Sequence, residues 1–575
     1  MLTRISYLMT SFLFYKMLLF GVMLLSACND SNQSVPDPPP TSQQSQQDPS
    51  TNSTPGVLQL IFTHDWEKQP WINEATTQFN AAQYKLSDGQ TIHVEAIPMI
   101  SWEIIDEVLS ETRQTHLISP ASSAFIKLGN TQSRLKMGQD LVGYTENLVY
   151  SPLVIALWKP MAKALGWGKQ PLGWADILAI AENPQGWAAY NYPQWGHFKL
   201  GHPHPEYTNS GLLSLLAQVY AGAHKQTGLT LTDINHPPVG TYLHKIQQTV
   251  AYYGHSTRFF NEELHNNGPS YLSAALLYEN QVIQSYQHHN PSIPLVAIYP
   301  KEGTFWSEHP IGVVERDWVT PAHREAAYVY MDYLLDKPQQ EQALQHGFRP
   351  TNDRVALTAP LDSAHGIDPS TPKTTLEMPP VEVMQATIKL WYQHKKPANV
   401  LLMLDISGSM REDKIRHARQ SALQLIETLK DVDYFSLLSF NNHFNWIAED
   451  ALVGLQRNRL QQQVRYQFVS GGTALYDAID HAYTSLLDNP QPDKISTIVV
   501  LSDGIDSNSH LTWQNLLSKV SYDSEERPIR IFTINYGSNT ENNILSELAK
   551  NTNARFYNGT PLNTFKILKE ISSFF

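Results

Sequence analysis

Five oxygen-bearing residues in the C-terminal third of the chain have the chemistry of a divalent-cation site. They lie in three short segments, which supply Asp405, Ser407 and Ser409, then Thr473, and then Asp503. Two carboxylates and three hydroxyls make an all-oxygen set, which suits a hard ion such as Mg²⁺, Mn²⁺ or Ca²⁺. Because hydroxyls are neutral, the ion would keep part of its positive charge and an open position. An acidic side chain of a protein partner could fill that position.

The elements around these residues must bring the three segments together. Apolar runs typical of buried parallel strands occur in NVLLMLD, DYFSLLSF, ISTIVVLSD and IRIFTINYG, with helical patterns between them. This alternation predicts an α/β doubly wound sheet. Ligands of such sheets bind outside the carboxyl ends of the strands, which is where the polar residues fall.

The three segments resemble the metal-ion-dependent adhesion site (MIDAS) of the von Willebrand factor A (VWA) domain. DISGSM corresponds to the DxSxS motif of that family, GGT to its threonine loop, and LSDG to its distal aspartate. The resemblance implies that Ser407, Ser409 and Thr473 coordinate the ion through their hydroxyls. It also implies that Asp405 and Asp503 act directly or through water, and that a carboxylate of a protein ligand completes the coordination.

A simpler interpretation of DISGSM is a strand followed by a helix cap. Ser409 would then cap a helix that begins near Met410 or Arg411. Three segments in the expected order on the expected elements favour the metal site. Mg²⁺ is the first candidate ion, with Mn²⁺ and Ca²⁺ as alternatives.

Residues 57–355 resemble a second family, the type 2 periplasmic solute-binding fold, in which two lobes close over a ligand around a hinge. The resemblance rests on the strand–loop–helix opening VLQLIFTHDWEKQPWINEATTQFN and on later segments. In order, these are WKPMAKALGW, WGHFKLGHPHPEYTNSGLLSLLAQVYAG, LLYENQVI, YPKEGTFW and GFRPTN. This order is similar to that of a solute-binding module fused to VWA domains in bacteria. We therefore expect a two-lobed α/β body followed by a Rossmann-like VWA domain.

The cleft of this two-lobed body has several candidate ligand residues. Helix N-termini carry unpaired N–H groups and a partial positive charge, so a small oxyanion or carboxylate would bind at the helix that begins near Asn209. In the alternative interpretation, Asn209 or Ser210 only caps that helix. The candidates are Ser122 and Ser123 from one lobe, Asn209 and Ser210 from the other, and, more weakly, Glu279 and Tyr299.

A proline-rich seam separates the two bodies. Its first part, ALTAPLDSAHGIDPSTPKTTLEMPP, has no sustained period, and its second part, VEVMQATIKLWYQHKKPA, predicts an amphipathic connecting helix. The apolar face of that helix comprises Val381, Met384, Ile388 and Leu390 or Trp391. The predicted boundaries are 57–355 for the solute-binding body, 356–397 for the seam and 398–575 for the VWA domain.

The N-terminus is typical of an exported chain. Arg4 and Lys16 precede an apolar run of signal-peptide length that ends in Leu-Ser-Ala-Cys28, which resembles the bacterial lipobox. The resemblance implies a signal peptide over 1–27 and a lipid on Cys28, whereas the alternative is an uncleaved anchor helix. The Pro/Gln/Ser-rich stretch over 28–56 predicts a tether. We expect a lipid anchor in the bacterial cell envelope, weakly favouring the outer membrane because asparagine follows the cysteine.

Composition excludes several classes of function. The 575 residues include 41 Lys plus Arg against 54 Asp plus Glu, a formal charge of −13, which argues against nucleic acid as a partner. The single cysteine excludes an intrachain disulfide and a Cys-cluster metal site. His197, His202 and His204 lie near Glu206, but the intervening prolines predict a surface loop rather than a zinc site. No nucleophile elbow, phosphate loop or dinucleotide fingerprint occurs, so we do not expect an enzyme.

Three hypotheses about function follow. The first is an exported lipoprotein that binds a protein partner through the metal site, with the solute-binding body as a second recognition unit. The second is capture of a small solute, such as an oxyanion, for an ABC-type uptake system in which the VWA domain is a docking module. The third is a role in assembling complexes, which the sequence does not separate from adhesion.

Overall fold

The computed structural model describes residues 56–289, 293–520, 529–537, 543–560 and 563–575, which belong to one compact unit. The predicted signal peptide, Cys28 and the predicted tether up to residue 55 lie outside the described residues. Within the described ranges, no helix has both the length and the apolar composition needed to cross a bilayer.

The first lobe is built on a five-stranded sheet with the strand order β2-β1-β3-β11-β4. Its strands are β1 (Val57–Asp65), β2 (Thr91–Met99), β3 (Leu117–Ser119), β4 (Val142–Asn147) and β11 (Pro310–Val314). β1 pairs in parallel with β2 and β3, whereas β11 runs antiparallel to β3 and β4. The loops that follow β1, β2 and β3 therefore open at the same edge of this sheet.

The second lobe has a seven-stranded sheet, in which β10-β5-β8-β6-β7 form one path and β9 and β12 also pair with β5. The strands are β5 (Val149–Trp158), β6 (Leu200–Pro203), β7 (Val250–Gly254), β8 (Ala274–Tyr278), β9 (Leu295–Ile298), β10 (Trp306–Ser307) and β12 (Arg349–Pro350). The chain leaves the first sheet between β4 and β5 and returns between β10 and β11. These crossings connect the two lobes, as the solute-binding resemblance predicts.

The third sheet is the predicted doubly wound sheet, and its strand order is β15-β14-β13-β16-β17-β18. Its strands are β13 (Ala398–Asp405), β14 (Tyr434–Phe440), β15 (Phe444–Leu452), β16 (Ile495–Ser502), β17 (Arg530–Asn535) and β18 (Phe556–Asn558). Pairing is parallel except for the edge strand β15, which is antiparallel to β14. Burial on both faces explains why β13 and β16 are continuous apolar runs.

Helices cover all three sheets. Those of the two lobes are α1 (Gln69–Ala82), α2 (Ser101–Leu109), α3 (Ser123–Met137), α4 (Lys159–Leu165), α5 (Trp174–Ala181), α6 (Asn209–Gly222), α7 (Leu231–Ile234), α8 (Pro237–Gln248), α9 (Thr257–Asn267), α10 (Glu279–His289), α11 (Pro321–Leu335) and α12 (Lys337–Gln345). Those of the seam and the C-terminal body are α13 (Val381–His394), α14 (Asp413–Thr428), α15 (Val453–Arg465), α16 (Leu475–Asp488), α17 (Trp513–Val520), α18 (Asn543–Asn551) and α19 (Thr564–Ser572).

The seam packs against the second lobe. The backbone N–H of Leu376 donates to the carbonyl of Thr304 at 2.9 Å, and that of Ala297 donates to Gly366 at 2.8 Å. The predicted connecting helix is α13, which buries Met384 and Trp391 of the predicted apolar face. The other predicted positions, Val381, Ile388 and Leu390, are half-buried against the same core.

Candidate metal centre and interlobe cleft

Two neighbouring strands position the carboxylates of the predicted metal site. β13 ends at Asp405, and Asp503 directly follows the end of β16. The two strands are parallel, with Leu404 opposite Leu501, so their carboxyl ends lie side by side. Both aspartates are buried, with exposed fractions of 0% and 1%.

Backbone hydrogen bonds connect the loops that carry the remaining residues. The N–H of Gly408 donates to the carbonyl of Gly471 at 2.9 Å, which links the DISGSM turn to the threonine loop. The N–H of Thr473 donates to Ser507 Oγ at 2.9 Å, which links the threonine loop to the segment after Asp503. Gly471 has φ of +78°, a conformation that favours glycine at this turn.

Hydrogen bonds bring four of the five predicted ligands into direct or near contact. Ser407 Oγ lies 2.9 Å from Ser409 Oγ, and Ser409 Oγ donates to Asp503 Oδ1 at 3.3 Å. The N–H of Ser407 donates to Asp405 Oδ1 at 2.8 Å. The fifth residue, Thr473, lies on the adjoining loop with 2% of its surface exposed. The site is open at Ser409, which is exposed.

Burial affects the charge state of the central carboxyl. It raises the pKa of Asp405 to about 6, and the nearby negative charge of Asp503 acts in the same direction. Hydrogen bonds from Ser502 Oγ, which donates to Asp405 Oδ2 at 2.6 Å, and from Ser407 act in the opposite direction. A divalent cation beside these carboxylates would supply the missing positive charge.

Lys414 contacts the candidate site and was missed by the sequence interpretation. Its Nζ lies 2.8 Å from Asp503 Oδ2 and forms an ion pair with that buried carboxylate. Its place in the first turn of α14, five residues after Ser409, was the signal that could have identified it. The ammonium group of Lys414 is thus a cation that lies next to Asp503 in the structure.

The donor set fits a hard divalent ion. Two carboxylates and two serine hydroxyls lie close together beside exposed Ser409, and all of them offer the oxygen atoms that such an ion requires. The described residues include no cluster of three or more His, Cys, Asp or Glu side chains that could hold a metal. The candidate site depends instead on serine and threonine hydroxyls.

The interlobe candidates Ser122 and Ser123 lie at the start of α3. Ser122 is fully buried, and its Oγ accepts a hydrogen bond from the N–H of Ala124 at 3.0 Å. Ser123 contacts Glu308, to which its N–H donates at 3.1 Å. Ser122 is therefore the cap of α3, and its role in binding a ligand stays a prediction.

Asn209 and Ser210 lie at the start of α6, but neither caps the helix. The cap is Thr208, whose Oγ1 accepts a hydrogen bond from the N–H of Gly211 at 3.0 Å. Asn209 Nδ2 donates to the hydroxyl of Tyr278 at 2.6 Å. Within the described part of the chain, Asn209 Oδ1 and Ser210 Oγ are buried without a hydrogen-bond partner. The amide oxygen of Asn209 can accept a hydrogen bond, and the hydroxyl of Ser210 can donate or accept one. Both lie at the helix start where a ligand is predicted.

Glu279 and Tyr299 belong to a buried ion-pair cluster. Arg349 donates from Nε and Nη2 to the two carboxylate oxygens of Glu279, at 2.8 and 2.6 Å, and the Tyr299 hydroxyl also donates to this carboxylate. Arg349 Nη2 donates further to the carbonyl of Thr371 at 2.7 Å. This cluster connects the second lobe to the seam. The polar atoms of both weaker candidates are therefore engaged within the protein.

The first lobe also has a buried aspartate and a buried lysine that the sequence interpretation missed. Lys68 Nζ donates to the carbonyl of Ser119 at 3.0 Å, and Ser101 donates to the carboxyl of Asp65. Burial raises the pKa of Asp65 and lowers the pKa of Lys68. An aspartate at the end of the first strand and a lysine three residues later were the available signal.

The expected surface loop at His202 and His204 was wrong. His202 belongs to β6, and both histidines are buried, with exposed fractions of 0% and 3%. His202 Nδ1 donates to the carbonyl of Pro203 at 2.6 Å, and its Nε2 accepts from Gln218 at 3.0 Å. Both ring nitrogens of His202 therefore have partners within the protein. His197 is exposed.

Comparison with protein families identifies both bodies. The family model for the von Willebrand factor type A domain matches residues 399–572, and the model for the bacterial extracellular solute-binding protein matches residues 67–349. The chain contains a solute-binding domain and a VWA domain. The description of the solute-binding family as bacterial and extracellular indicates a periplasmic or extracellular location.

Similar proteins match one domain at a time. Inter-alpha-trypsin inhibitor heavy chain H2 of Mesocricetus auratus is 27% identical over 161 residues, which are 27% of this chain and 17% of that protein. Voltage-dependent calcium channel subunit alpha-2/delta-3 of Rattus norvegicus is 26% identical over 156 residues, which are 25% and 14% of the two chains. The chain thus spans less than a fifth of the length of these relatives.

Solved structures also align with parts of the chain. A periplasmic thiamin binding protein aligns with a TM-score of 0.41 and 13% identity, over 59% of this chain and 96% of that chain. The von Willebrand factor type A protein from Catenulispora acidiphila aligns with a TM-score of 0.27 and 19% identity, over 31% and 43%.

Proposed function

We propose that this protein binds a protein partner through a divalent cation held by the VWA domain. The supporting observation is the convergence of buried Asp405 and Asp503 with Ser407 and Ser409 at one opening, beside the loop of Thr473. Mg²⁺ is the expected ion, with Mn²⁺ or Ca²⁺ as alternatives. The ion supplies a Lewis-acidic centre, and an aspartate or glutamate of the partner completes its coordination.

The orientation of the VWA domain supports this proposal. Arg530, the first residue of β17, contacts the second lobe through Tyr271, to whose hydroxyl its Nη2 donates at 2.6 Å. The metal site lies at the other end of the sheet, where Asn535 pairs with Ser502. Five residues of strand separate Arg530 from Asn535, which is about 17 Å. The docked end and the metal end are therefore different surfaces.

The rim of the metal site has the composition of a contact surface. Ile505 is 52% exposed although it is a large apolar residue, and it lies two residues after Asp503. Ser409 and Gly471 on the opposite sides are also exposed. An apolar contact beside a charged centre would add affinity that the ion alone does not provide.

The test is thermal unfolding of the full chain with increasing Mg²⁺ and with a chelator. An ion at 100 times its dissociation constant adds about 2.7 kcal/mol to the state that binds it, which raises the melting temperature of the transition that includes the VWA domain. We expect a clear upward shift in the wild type that Asp405→Ala and Ser409→Ala abolish. Asp413→Ala, which removes an exposed aspartate of the same segment, is the matched control and keeps the shift. A wild-type melting temperature insensitive to Mg²⁺, Mn²⁺ and Ca²⁺ would contradict the proposal.

The acidic partner is tested separately. Peptides that present one aspartate or glutamate are compared with their amide counterparts for binding to the wild type in Mg²⁺ and in chelator. We expect binding only for the acid forms in Mg²⁺. Equal binding of the acid and amide peptides would show that the ion does not recognise a carboxylate of the partner.

A second candidate function is capture of a small solute for an ABC-type uptake system, with the VWA domain as a docking module. The observation that favours it is the pair of unpartnered buried atoms, Asn209 Oδ1 and Ser210 Oγ, at the N-terminus of α6. Titration with sulfate and phosphate, compared between the wild type and Ser210→Ala, tests this function. Saturable oxyanion binding by the wild type that is lost in Ser210→Ala supports solute capture. Absence of binding by the wild type argues against sulfate and phosphate as the solute.

The envelope anchor remains part of the proposal. A lipid on Cys28 would hold the binding domains at a membrane surface, and no catalytic role is proposed. Mass measurement of the mature chain, beside Cys28→Ser, distinguishes a lipidated N-terminus from an unmodified one.

A further inference from the structure

The last helix of the VWA domain lies across both lobes of the solute-binding domain. Lys566 Nζ pairs with Glu103 Oε1 of the first lobe at 3.0 Å. On the second lobe, the ring of Phe574 lies 5.2 Å from the ring of Phe259. α19 and the residues that follow it therefore contact both lobes.

Lys569 of this helix lies beside two aromatic rings, one from each lobe. Its Nζ is 3.4 Å from the ring centroid of Trp102 and 5.4 Å from that of Tyr207. The two ring centroids are 6.1 Å apart. Both distances are within the range of a cation–π interaction, and the shorter one is a close contact. The pair of rings therefore holds an ammonium group in this structure.

The surrounding charges also favour a cation at this position. The carboxylates of Asp106, Glu206 and Glu103 act on Lys569 and oppose the lowering of its pKa by burial. Among the described residues, Lys569 makes no ion pair, whereas Lys566 pairs with Glu103. The attraction at the rings thus comes from their faces and from carboxylates at longer range.

A cavity of about 380 Å³ adjoins the two rings. Besides Lys569, its lining carries three positive side chains, each paired with one of its three carboxylates. The pairs are Lys566–Glu103, Arg258–Glu262 and Arg555–Glu570. Without Lys569 the lining would carry no excess positive charge, and the aromatic pair would be vacated. The volume is enough for a small organic molecule whose charged head enters the rings.

We propose that Trp102 and Tyr207 form a binding site for the ammonium head of a small organic amine or quaternary ammonium compound. Lys569 occupies this site in the present structure. A solute of this class competes with Lys569, so binding of the solute and docking of α19 exclude each other. By linkage, such a solute loosens the contact between the VWA domain and the cleft, and release of that contact raises affinity for the solute.

The competition sets the expected affinities. A cation–π contact contributes about 0.5–2 kcal/mol, so an external ammonium ion binds weakly, and a tethered lysine at high effective concentration keeps it out of the wild type. Removal of the lysine should therefore expose a measurable site. This expectation does not involve the metal site and can fail independently of the proposed function.

The experiment follows the heat of binding by titration calorimetry of the full chain with tetramethylammonium chloride and, separately, ethylammonium chloride, against sodium chloride at equal ionic strength. We expect Lys569→Ala to show saturable binding at concentrations at least tenfold lower than the wild type requires. Lys550→Ala is the matched control, because it removes an exposed lysine at the end of α18 that does not line the cavity, and it should behave as the wild type. Trp102→Ala combined with Lys569→Ala should lose the binding.

Two results would overturn the proposal. One is a folded Lys569→Ala chain that responds to the ammonium salts only as it does to sodium chloride. The other is saturable binding that persists after Trp102 is also replaced. Lys569→Gln, which keeps most of the side chain and removes the charge, is measured in the same way, so that the conclusion does not depend on the folding of one variant.

Discussion

At the residue scale, the ion pair between Lys414 and Asp503 competes with a bound cation. The lysine ammonium lies 2.8 Å from the carboxylate oxygen, so a divalent ion at the proposed site would have a like charge as its neighbour. Two unit charges about 4 Å apart interact by up to about 4 kcal/mol near a protein surface, although a flexible lysine can turn away. We expect Lys414→Met to bind Mg²⁺ at least threefold more tightly, as measured by calorimetric titration. Arg416→Met, an exposed position two residues later, should leave the affinity unchanged, and weaker binding by Lys414→Met would show that the lysine supports the site.

A buried histidine makes the stability of the second lobe depend on pH. Burial lowers the pKa of His202 from its ordinary 6.5 to about 4, so the unfolded chain binds this proton more readily than the folded chain. The contribution of His202 to stability is complete above pH 6.5 and is lost as the pH falls toward 4, where the loss reaches ~3 kcal/mol. The free energy of unfolding of the wild type should therefore fall more steeply over this range than that of His202→Gln. His197→Gln removes an exposed histidine and should retain the wild-type slope.

At the scale of elements, the cap of α6 is Thr208, whereas the sequence pattern indicated Asn209 or Ser210. Three consecutive polar residues, Thr208, Asn209 and Ser210, all suit a cap, and the choice depends on where the first turn begins. Thr208→Ala removes the hydrogen bond to Gly211 and should cost about 1 kcal/mol. Ser210→Ala removes a buried hydroxyl without a described partner and should be neutral or stabilising. Denaturant unfolding of both variants measures the difference, and an equal loss in both would contradict this assignment of the cap.

Sequence patterns predict some features of this protein and not others. The strands β13, β14, β16 and β17 were predictable because a strand buried on both faces is a continuous apolar run. The metal residues were predictable because their positions follow from short local motifs at strand ends. The ion pair of Glu279 with Arg349 was not, since 70 residues separate the partners and only the tertiary fold brings them together. The burial of His202 was missed because Pro203, one of the prolines that indicate a loop here, is the last residue of a short buried strand.

At the scale of the whole molecule, one buried arginine connects the VWA domain to the second lobe. The guanidinium of Arg530 lies 3.6 Å from the ring centroid of Tyr252, and its Nη2 donates to the hydroxyl of Tyr271. The side chain has only 4% of its surface exposed, although Nε and Nη1 have no hydrogen-bond partner among the described residues. The cation–π contact and the charged hydrogen bond therefore offset part of the cost of burying this charge.

Loss of Arg530 should uncouple the two domains. A desolvated cation–π contact and a hydrogen bond to a charged group each contribute about 2 kcal/mol, so Arg530→Ala should weaken the docked state by about 2–4 kcal/mol. We expect the wild type to unfold in one calorimetric transition and Arg530→Ala to unfold in two, because neither domain then stabilises the other. Arg465→Ala, at an exposed position at the end of α15, should unfold as the wild type does. Two transitions already present in the wild type would mean that this interface does not couple the domains, and α19 would then be free to leave the cleft without unfolding either of them.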